Sequence, residues 1–159
     1  MNEEGKRPFR VPSTEVQTRI SRIQDGLQRE KIDGALVADR LNLFYFSGTA
    51  QNGVLYIPAH GRSCLFVKRY APRARAESPL RVFDLASSSG LPTRISQQFG
   101  CLPGTLGMER DLMPHKEFRF YCSLVQEPVC PDISHLIHRA RMIKSVWELE
   151  RLEHTARIS

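Results

Sequence analysis

Apolar residues first recur at helical spacing at Val16, Ile20, Ile23 and Leu27, which predicts one buried face of a helix. Thr14 and Gln17 are spaced as a capping box for its start. Gly34, after Lys31-Ile32-Asp33, suits the break that follows it. The polar stretch before the helix carries Pro8 and Pro12, so residues 1–12 read as a flexible leader. The pattern then changes. Residues 35–38 are a short unbroken apolar run, expected as a buried strand. Residues 42–46 are rich in aromatics and close on Ser47-Gly48. Residues 54–58 and 63–67 are two further apolar runs around the turn signal His60-Gly61, and together predict a hairpin.

Beyond the hairpin, helical and strand patterns alternate. Residues 70–77 read as a helix with Pro72 in its first turn, 81–84 as a strand, 87–90 as a loop, and 91–99 as a helix with Leu91, Ile95 and Phe99 on one face. Residues 105–109 follow as a strand and 114–124 as a helix. Residues 127–130 are expected as a short edge strand, because Pro128 cannot donate to a ladder. A further helix begins over 133–139. This alternation predicts an α/β fold, a mixed five- or six-stranded sheet flanked by helices, with the early hairpin making the sheet mixed. The last segment opens on Ser145-Val146-Trp147-Glu148, a capping box closed by Glu. Val146, Leu149, Leu152 and Ala156 then share a face, and Glu153 and Arg157 are spaced to pair. An amphipathic helix of this kind needs a cover for its apolar side. That cover is either this domain itself or something beyond it.

Composition narrows the class without naming an activity. The 159 residues, 41% apolar and 25% charged, fit one ordinary soluble domain of about 100–200 residues. No apolar run approaches the roughly 18 residues that span a bilayer. The charged N-terminus leads into no apolar stretch, so it is no secretory signal and a cytoplasmic location is expected. Cys64, Cys101, Cys122 and Cys130 form no Cys-x-x-Cys pair. In a reducing compartment they read as small buried hydrophobes, with a disulfide left open. The net charge of +6 is uneven: residues 1–81 hold 14 basic and 8 acidic side chains, residues 82–159 hold 9 of each. Arg62, Lys68, Arg69, Arg73, Arg75 and Arg81 face a single acid in their stretch, Glu77. Lys68, Arg69, Arg73 and Arg75 thus form a candidate basic patch for an acidic protein or a nucleic acid. A solvated helix face is the simpler reading, and without interleaved aromatics nucleic acid is not expected.

No catalytic constellation emerges. His135 and His138 with Asp132 have helical metal-ligand spacing, but a pair of this kind wants a further ligand and a supporting shell, and a solvated or capping role is simpler. His60 and His115 stand alone and read as surface residues. Asp84, Glu109 and Asp111 fall at or just after strand ends, where a nuclease could gather two metals, yet such residues are common there in any α/β protein. Ser87-Ser88-Ser89-Gly90 lacks the Gly-x-Ser-x-Gly elbow, and no Gly-rich phosphate loop is present. The best functional candidate is Tyr45, Phe46, Ser47, Gly48 and Thr49 with Gln51. Read as a loop, its aromatics suit an interface, and Gly48 allows a sharp turn and close backbone approach. Inward packing of Tyr45 and Phe46 against the first helix is the alternative.

Three stretches carry a resemblance. The first is Ile32-Asp33-Gly34-Ala35-Leu36-Val37, then Asn42 and Tyr45-Phe46-Ser47-Gly48-Thr49. The second is Leu55-Tyr56-Ile57-Pro58 with Leu65-Phe66-Val67-Lys68-Arg69. The third is Arg141-Met142-Ile143-Lys144-Ser145 leading into Glu148-Leu149-Glu150-Arg151-Leu152. In order and spacing, over residues 15–158, they resemble the N-terminal domain of the creatinase, prolidase and aminopeptidase P metallopeptidases. The resemblance implies a ribonuclease H-like domain over 13–140 and a linker helix over 141–159 leading to a catalytic domain absent from this chain. That second domain would hold two divalent metals, manganese or cobalt, through Asp, His and Glu residues that this chain lacks, and would cleave Xaa-Pro bonds. The N-terminal domain itself would carry no catalytic or metal-ligating residue. It would support assembly, as a homo-oligomer such as a dimer, and shape the active site. The resemblance also covers relatives that keep the architecture for binding alone, such as a histone chaperone subunit.

Overall fold

Pro12 sets the entry into the first helix, α1 (Ser13–Arg29), in the computed structural model, which describes residues 10–125 and 129–158, with the backbone alone at Ile158. Pro12, at φ −56° and ψ 143°, is the N-cap, so the helix starts before Thr14 and the Thr14–Gln17 box does not form. Thr14 lies instead inside the first turn, where its carbonyl accepts from the Thr18 hydroxyl at 2.9 Å. Val16, Ile20, Ile23 and Leu27 are all buried, as their spacing predicts. The break after α1 also differs from expectation. The left-handed residue is Lys31, at φ 56°, and the Ile32 N–H returns to the Leu27 carbonyl at 2.9 Å. That 6→1 closure ends the helix three residues early, and Gly34 is already the first residue of strand β1 (Gly34–Val37).

Residues 40–47 form a helix, α2 (Arg40–Ser47), which takes in Tyr45, Phe46 and Ser47, read above as part of a loop. Asp39 caps it, its Oδ1 accepting from the Leu41 and Asn42 N–H groups at 3.0 Å each. The carboxylate satisfies two donors that a helix start leaves orphaned. Gly48, at φ 76°, closes the other end, with its N–H on the Phe44 carbonyl at 2.8 Å. The aromatic residues masked this helix because aromatics favour strands, while the caps decide its ends.

Strands β2 (Gly53–Pro58) and β3 (Cys64–Val67) make the expected hairpin. After helix α3 (Ala71–Glu77) comes β4 (Arg81–Asp84), parallel to β3. The expected loop at 87–90 includes a single 3-10 turn over Ser88–Gly90, which runs into α4 (Leu91–Phe99). Strand β5 (Leu106–Met108) pairs parallel with β1, which is antiparallel to β2 on its other side. The sheet order is β4-β3-β2-β1-β5, mixed and five-stranded. Helices α5 (His115–Leu124), α6 (Ser134–Met142) and α7 (Val146–Ile158) follow. The expected edge strand at 127–130 lies partly outside the described residues. Its described end runs beside β5 through the isolated parallel bridges Thr105↔Val129 and Met108↔Asp132.

The pleat divides the interior into two layers. Ala35, Val37, Leu55, Ile57, Leu65 and Val67 point to one face and pack against α1, α2, α3 and α6. Leu36, Val54, Tyr56, Cys64 and Phe66 point to the other and meet Leu91 and Ile95 of α4 and Tyr121 of α5. The three central strands are buried on both faces, which is why they read as continuous apolar runs and not as alternating ones. At Gly53 the neighbouring strand comes so close that an added Cβ would stand 2.4 Å from the Phe66 carbonyl oxygen.

Candidate functional site

Helix α7 is held at its root by one buried arginine. Glu15 and Arg19 sit one turn apart on α1, which brings their side chains together. Arg19, 3% exposed, bonds through Nε to Glu15 Oε1 at 3.0 Å and through Nη1 to the Tyr45 carbonyl at 2.7 Å. Its Nη2 lies 3.3 Å from Glu148 Oε1. The guanidinium also lies 4.1 Å from the Tyr45 ring centre and 5.7 Å from that of Trp147, so its remaining surroundings are aromatic faces. A buried arginine between two carboxylates has its charge matched on both sides, and removing it would leave both acids without a counter-charge.

The capping box at 145–148 forms as its spacing predicts. The Ser145 N–H donates to Glu148 Oε2 at 2.9 Å, and the Glu148 N–H donates to Ser145 Oγ at 3.1 Å. Glu148 therefore starts α7 with one oxygen and binds Arg19 with the other. Ser145 ties the same turn to α1, its hydroxyl donating to Glu15 Oε1 at 2.8 Å. Two further contacts fix the preceding turn. Tyr45 donates its hydroxyl to the Ala140 carbonyl at 3.0 Å, and Arg22 Nη1 reaches the Ile143 carbonyl at 3.1 Å. Burial, with the Glu148 carboxylate, pushes the Tyr45 phenol above its ordinary range and keeps it a neutral donor.

A second polar chain runs from α6 into the sheet. Arg141 Nη1 donates to Asn42 Oδ1 at 2.8 Å, and Asn42 Nδ2 donates to Glu109 Oε2 at 2.7 Å. Glu109 follows β5, is 1% exposed, and its Oε1 has no hydrogen-bond partner. Burial, helped by the Asp39 and Asp111 carboxylates and opposed by the Asn42 amide, pushes this carboxyl up to about 7.

Above this rigid root, α7 turns its apolar stripe outward. Val146, Leu149 and Leu152 are 74%, 49% and 56% exposed, and Leu41 on α2 adds 67%. Between α7 and α2 lies a cavity of about 280 Å³ with Val11, Phe44, Tyr45, Trp147 and Leu152 on its wall and the charged side chains Arg19, Lys144, Glu148 and Arg151 among them.

The residues singled out from sequence separate in space. Tyr45 belongs to the junction, half-buried, with its ring edge-on to Phe46 at 4.9 Å. Phe46 is fully buried in the core under α1. Ser47 is buried and donates to the Leu43 carbonyl at 2.6 Å. Thr49 is buried and donates to Glu77 Oε2 at 2.6 Å, and its hydroxyl oxygen accepts from the N–H of half-exposed Gln51 at 3.3 Å. Of the basic patch, Arg73 pairs with Glu77 at 2.7 Å and Arg75 with Asp84 at 2.5 Å, which lowers the field the four residues project; Lys68 is half-buried and Arg69 exposed. His135 faces Glu30 at 2.6 Å and His138 faces Asp111 at 2.8 Å, so the two imidazoles point to different partners. Asp132 instead accepts from the Ser134 and Arg110 N–H groups at 2.9 and 3.2 Å. Asp84 and Glu109 stand at opposite edges of the sheet and do not converge. Among the described residues, no three His, Cys, Asp or Glu side chains come together in a group that could hold a metal ion. Of the cysteines, Cys64 is buried as expected, Cys101 is exposed, and Cys122 and Cys130 are half-buried neighbours.

Residues 19–143 match the family described as Creatinase/Prolidase N-terminal domain. The chain belongs to that family. Its fold is shared with a Xaa-Pro dipeptidase from Bacillus anthracis, at 19% identity and a TM-score of 0.74 over 85% of this chain and 38% of that one. A prolidase from Pyrococcus horikoshii OT3 is similar at 20% identity and a TM-score of 0.71, over 84% of this chain and 37% of that one. The N-terminal domain of the cytoplasmic peptidase PepQ from Mycobacterium tuberculosis H37Rv is 22% identical, with a TM-score of 0.66 over 77% of this chain and 98% of that one. In sequence the chain is 23% identical over 133 residues to the uncharacterized peptidase YqhT of Bacillus subtilis (strain 168). That match takes in 80% of this chain and 36% of the relative, so the creatinase/prolidase N-terminal domain here spans about a third of that peptidase's length. Among the described residues no helix is long and apolar enough to cross a membrane.

The Arg19 junction escaped sequence reading. Its signal was the Glu15–Arg19 spacing on a face otherwise occupied by Val16, Ile20 and Ile23, a charged pair at the margin of a core stripe. Glu109 was legible as a strand-end acid, but its burial depends on Asn42, 67 residues away.

Proposed function

We propose that this chain is the non-catalytic N-terminal domain of a Xaa-Pro dipeptidase or aminopeptidase, serving subunit assembly and shaping of an active site built elsewhere. The observation that carries the proposal is the contrast within α7: its root is fixed by a buried, doubly paired Arg19, while Val146, Leu149 and Leu152 stand exposed in a row. Ordering a helix root with buried charge while leaving its apolar side in water stabilises this domain little. It does set the direction in which a helix leads to a further apolar surface. The catalytic domain is that surface in this reading, and it brings the two divalent metals, manganese or cobalt, with the ligands that hold them. A homo-oligomer, such as a dimer, and a cytoplasmic location belong to the same proposal. Its names come from the family's relatives, whose titles describe Xaa-Pro and proline peptidases. The test is hydrolysis of Xaa-Pro peptides by the isolated chain with manganese added. The expected result is none. Turnover that follows the chain through purification and is lost with a point substitution in it would overturn the proposal.

A further inference from the structure

On the sheet face away from the α7 junction, two thiols meet. Cys122 lies on α5, and Cys130 on the segment that runs beside β5; both pack against the second core layer. Their sulfurs are 2.8 Å apart. That is too close for a shared metal ion, since two tetrahedral metal–thiolate bonds of about 2.3 Å put sulfurs about 3.8 Å apart. A disulfide needs about 2.05 Å, so closure asks for less than about 1 Å of approach. The segment holding Cys130 is itself anchored: the Leu106 N–H donates to the Val129 carbonyl at 2.9 Å, and the Met108 N–H to the Pro131 carbonyl at 3.1 Å. The pair is thus presented by a helix on one side and a sheet edge on the other, half-buried and within reach of a small oxidant.

We infer that Cys122 and Cys130 are a redox modification site, closing to an intramolecular disulfide on exposure to a hydroperoxide and reopening with a thiol reductant. Burial, with the neighbouring Cys122 sulfur, pushes the Cys130 thiol up to about 12. Cys130, held protonated by its burial, is assigned the second, resolving step, and the first attack falls to Cys122 on α5. The Cys122 sulfur attacks the hydroperoxide, an S–O bond forms as the O–O bond breaks, and the leaving alkoxide, or hydroxide when the oxidant is hydrogen peroxide, takes a proton to become the alcohol or water. Cys130 then gives its proton to solvent and attacks the Cys122 sulfur. The S–S bond forms, the S–O bond breaks, and hydroxide leaves as water. Two thiols lose two electrons and the hydroperoxide gains them. The product ties α5 to the segment that leads into α6, whose Ala140 carbonyl accepts from the Tyr45 hydroxyl at the α7 junction.

The experiment uses the whole 159-residue chain carrying Cys101→Ser, which removes the exposed thiol. After treatment with hydrogen peroxide, remaining thiols are alkylated and the chain is digested with trypsin. Cleavage after Arg119 and Arg139 leaves both cysteines on one peptide, without Cys64. The expected result is that this peptide loses the mass of two hydrogens and takes no alkyl group, that dithiothreitol restores both alkylation sites, and that Cys130→Ser yields a Cys122 sulfenic acid trapped by dimedone. The inference is overturned if both thiols of the Cys101→Ser chain still alkylate after peroxide, or if they oxidise separately to sulfinic acids without a disulfide. The first readout needs no substitution at either thiol, so a misfolded Cys130→Ser chain leaves it decisive.

Discussion

Replacing Glu109 by Gln removes a buried acid while keeping its shape and its partner, since a Gln carbonyl can still accept from Asn42. Glu109 is 1% exposed and titrates at about 7 in the fold, against an ordinary value of 4.5. A folded value above the unfolded one means that the folded state holds its proton longer. The contribution to stability is therefore full below about pH 4.5 and is lost as the pH rises through about 7. Two and a half units at about 1.36 kcal/mol each amount to roughly 3 kcal/mol. For a domain of this length that corresponds to about 6–12 °C in Tm. The assay is urea unfolding of wild-type chain and Glu109→Gln, followed by circular dichroism at intervals from pH 4.5 to 8.5. The wild type should lose stability across the window relative to the variant, so that the difference between them grows by about 3 kcal/mol from acid to alkaline pH. Any fixed cost of the substitution shifts both ends equally and does not disturb this reading. Parallel curves would refute it, and would mean that the Glu109 carboxylate is solvated or compensated in the fold.

Three further outcomes follow from the same geometry. Arg19→Met should strand Glu15 and Glu148 and cost about 3–5 kcal/mol, with emission of Trp147, the chain's single tryptophan, shifting to the red as α7 loosens; unchanged fluorescence and stability would remove Arg19 from the junction. Gly53→Ala should cost about 1–3 kcal/mol in chemical unfolding, because the added methyl meets the Phe66 carbonyl across the hairpin. The double substitution Leu149→Glu and Leu152→Glu should leave the unfolding free energy of the isolated chain, measured by urea denaturation, unchanged to within about 0.5 kcal/mol, because both side chains are about half exposed; a larger loss would show that the stripe packs on this domain.

Much of the architecture was legible because its elements are local. The α1 stripe, the hairpin and the 145–148 capping box each depend on residues within a few positions of one another, and each forms. What escaped depends on distance along the chain or on backbone geometry. Tyr45 to Ser47 read as loop because three aromatics in a row of five carry no helical stripe, yet Asp39 and Gly48 cap a helix around them. The Thr14–Gln17 box failed because Pro12 begins the helix first. Lys31 took the left-handed position that Gly34 suits, as the Ile32 N–H closes onto Leu27. The outward turn of the α7 stripe could not be read from its periodicity, which is the same whichever way the helix faces. Its orientation is decided by Arg19, Tyr45 and Ser145, from 26 to 130 positions apart in their contacts.

The central claim, that this is the accessory domain of a larger Xaa-Pro peptidase, is tested most directly by capturing the native protein that carries this sequence with an antibody to the chain. Its intact mass and its manganese-dependent hydrolysis of Xaa-Pro peptides are then measured. The native protein should exceed the 18.2 kDa of this chain by a further domain of roughly 200 residues, and be active where the isolated chain is not. A native protein of 18.2 kDa, or a larger one without hydrolysis of any Xaa-Pro peptide, would contradict it.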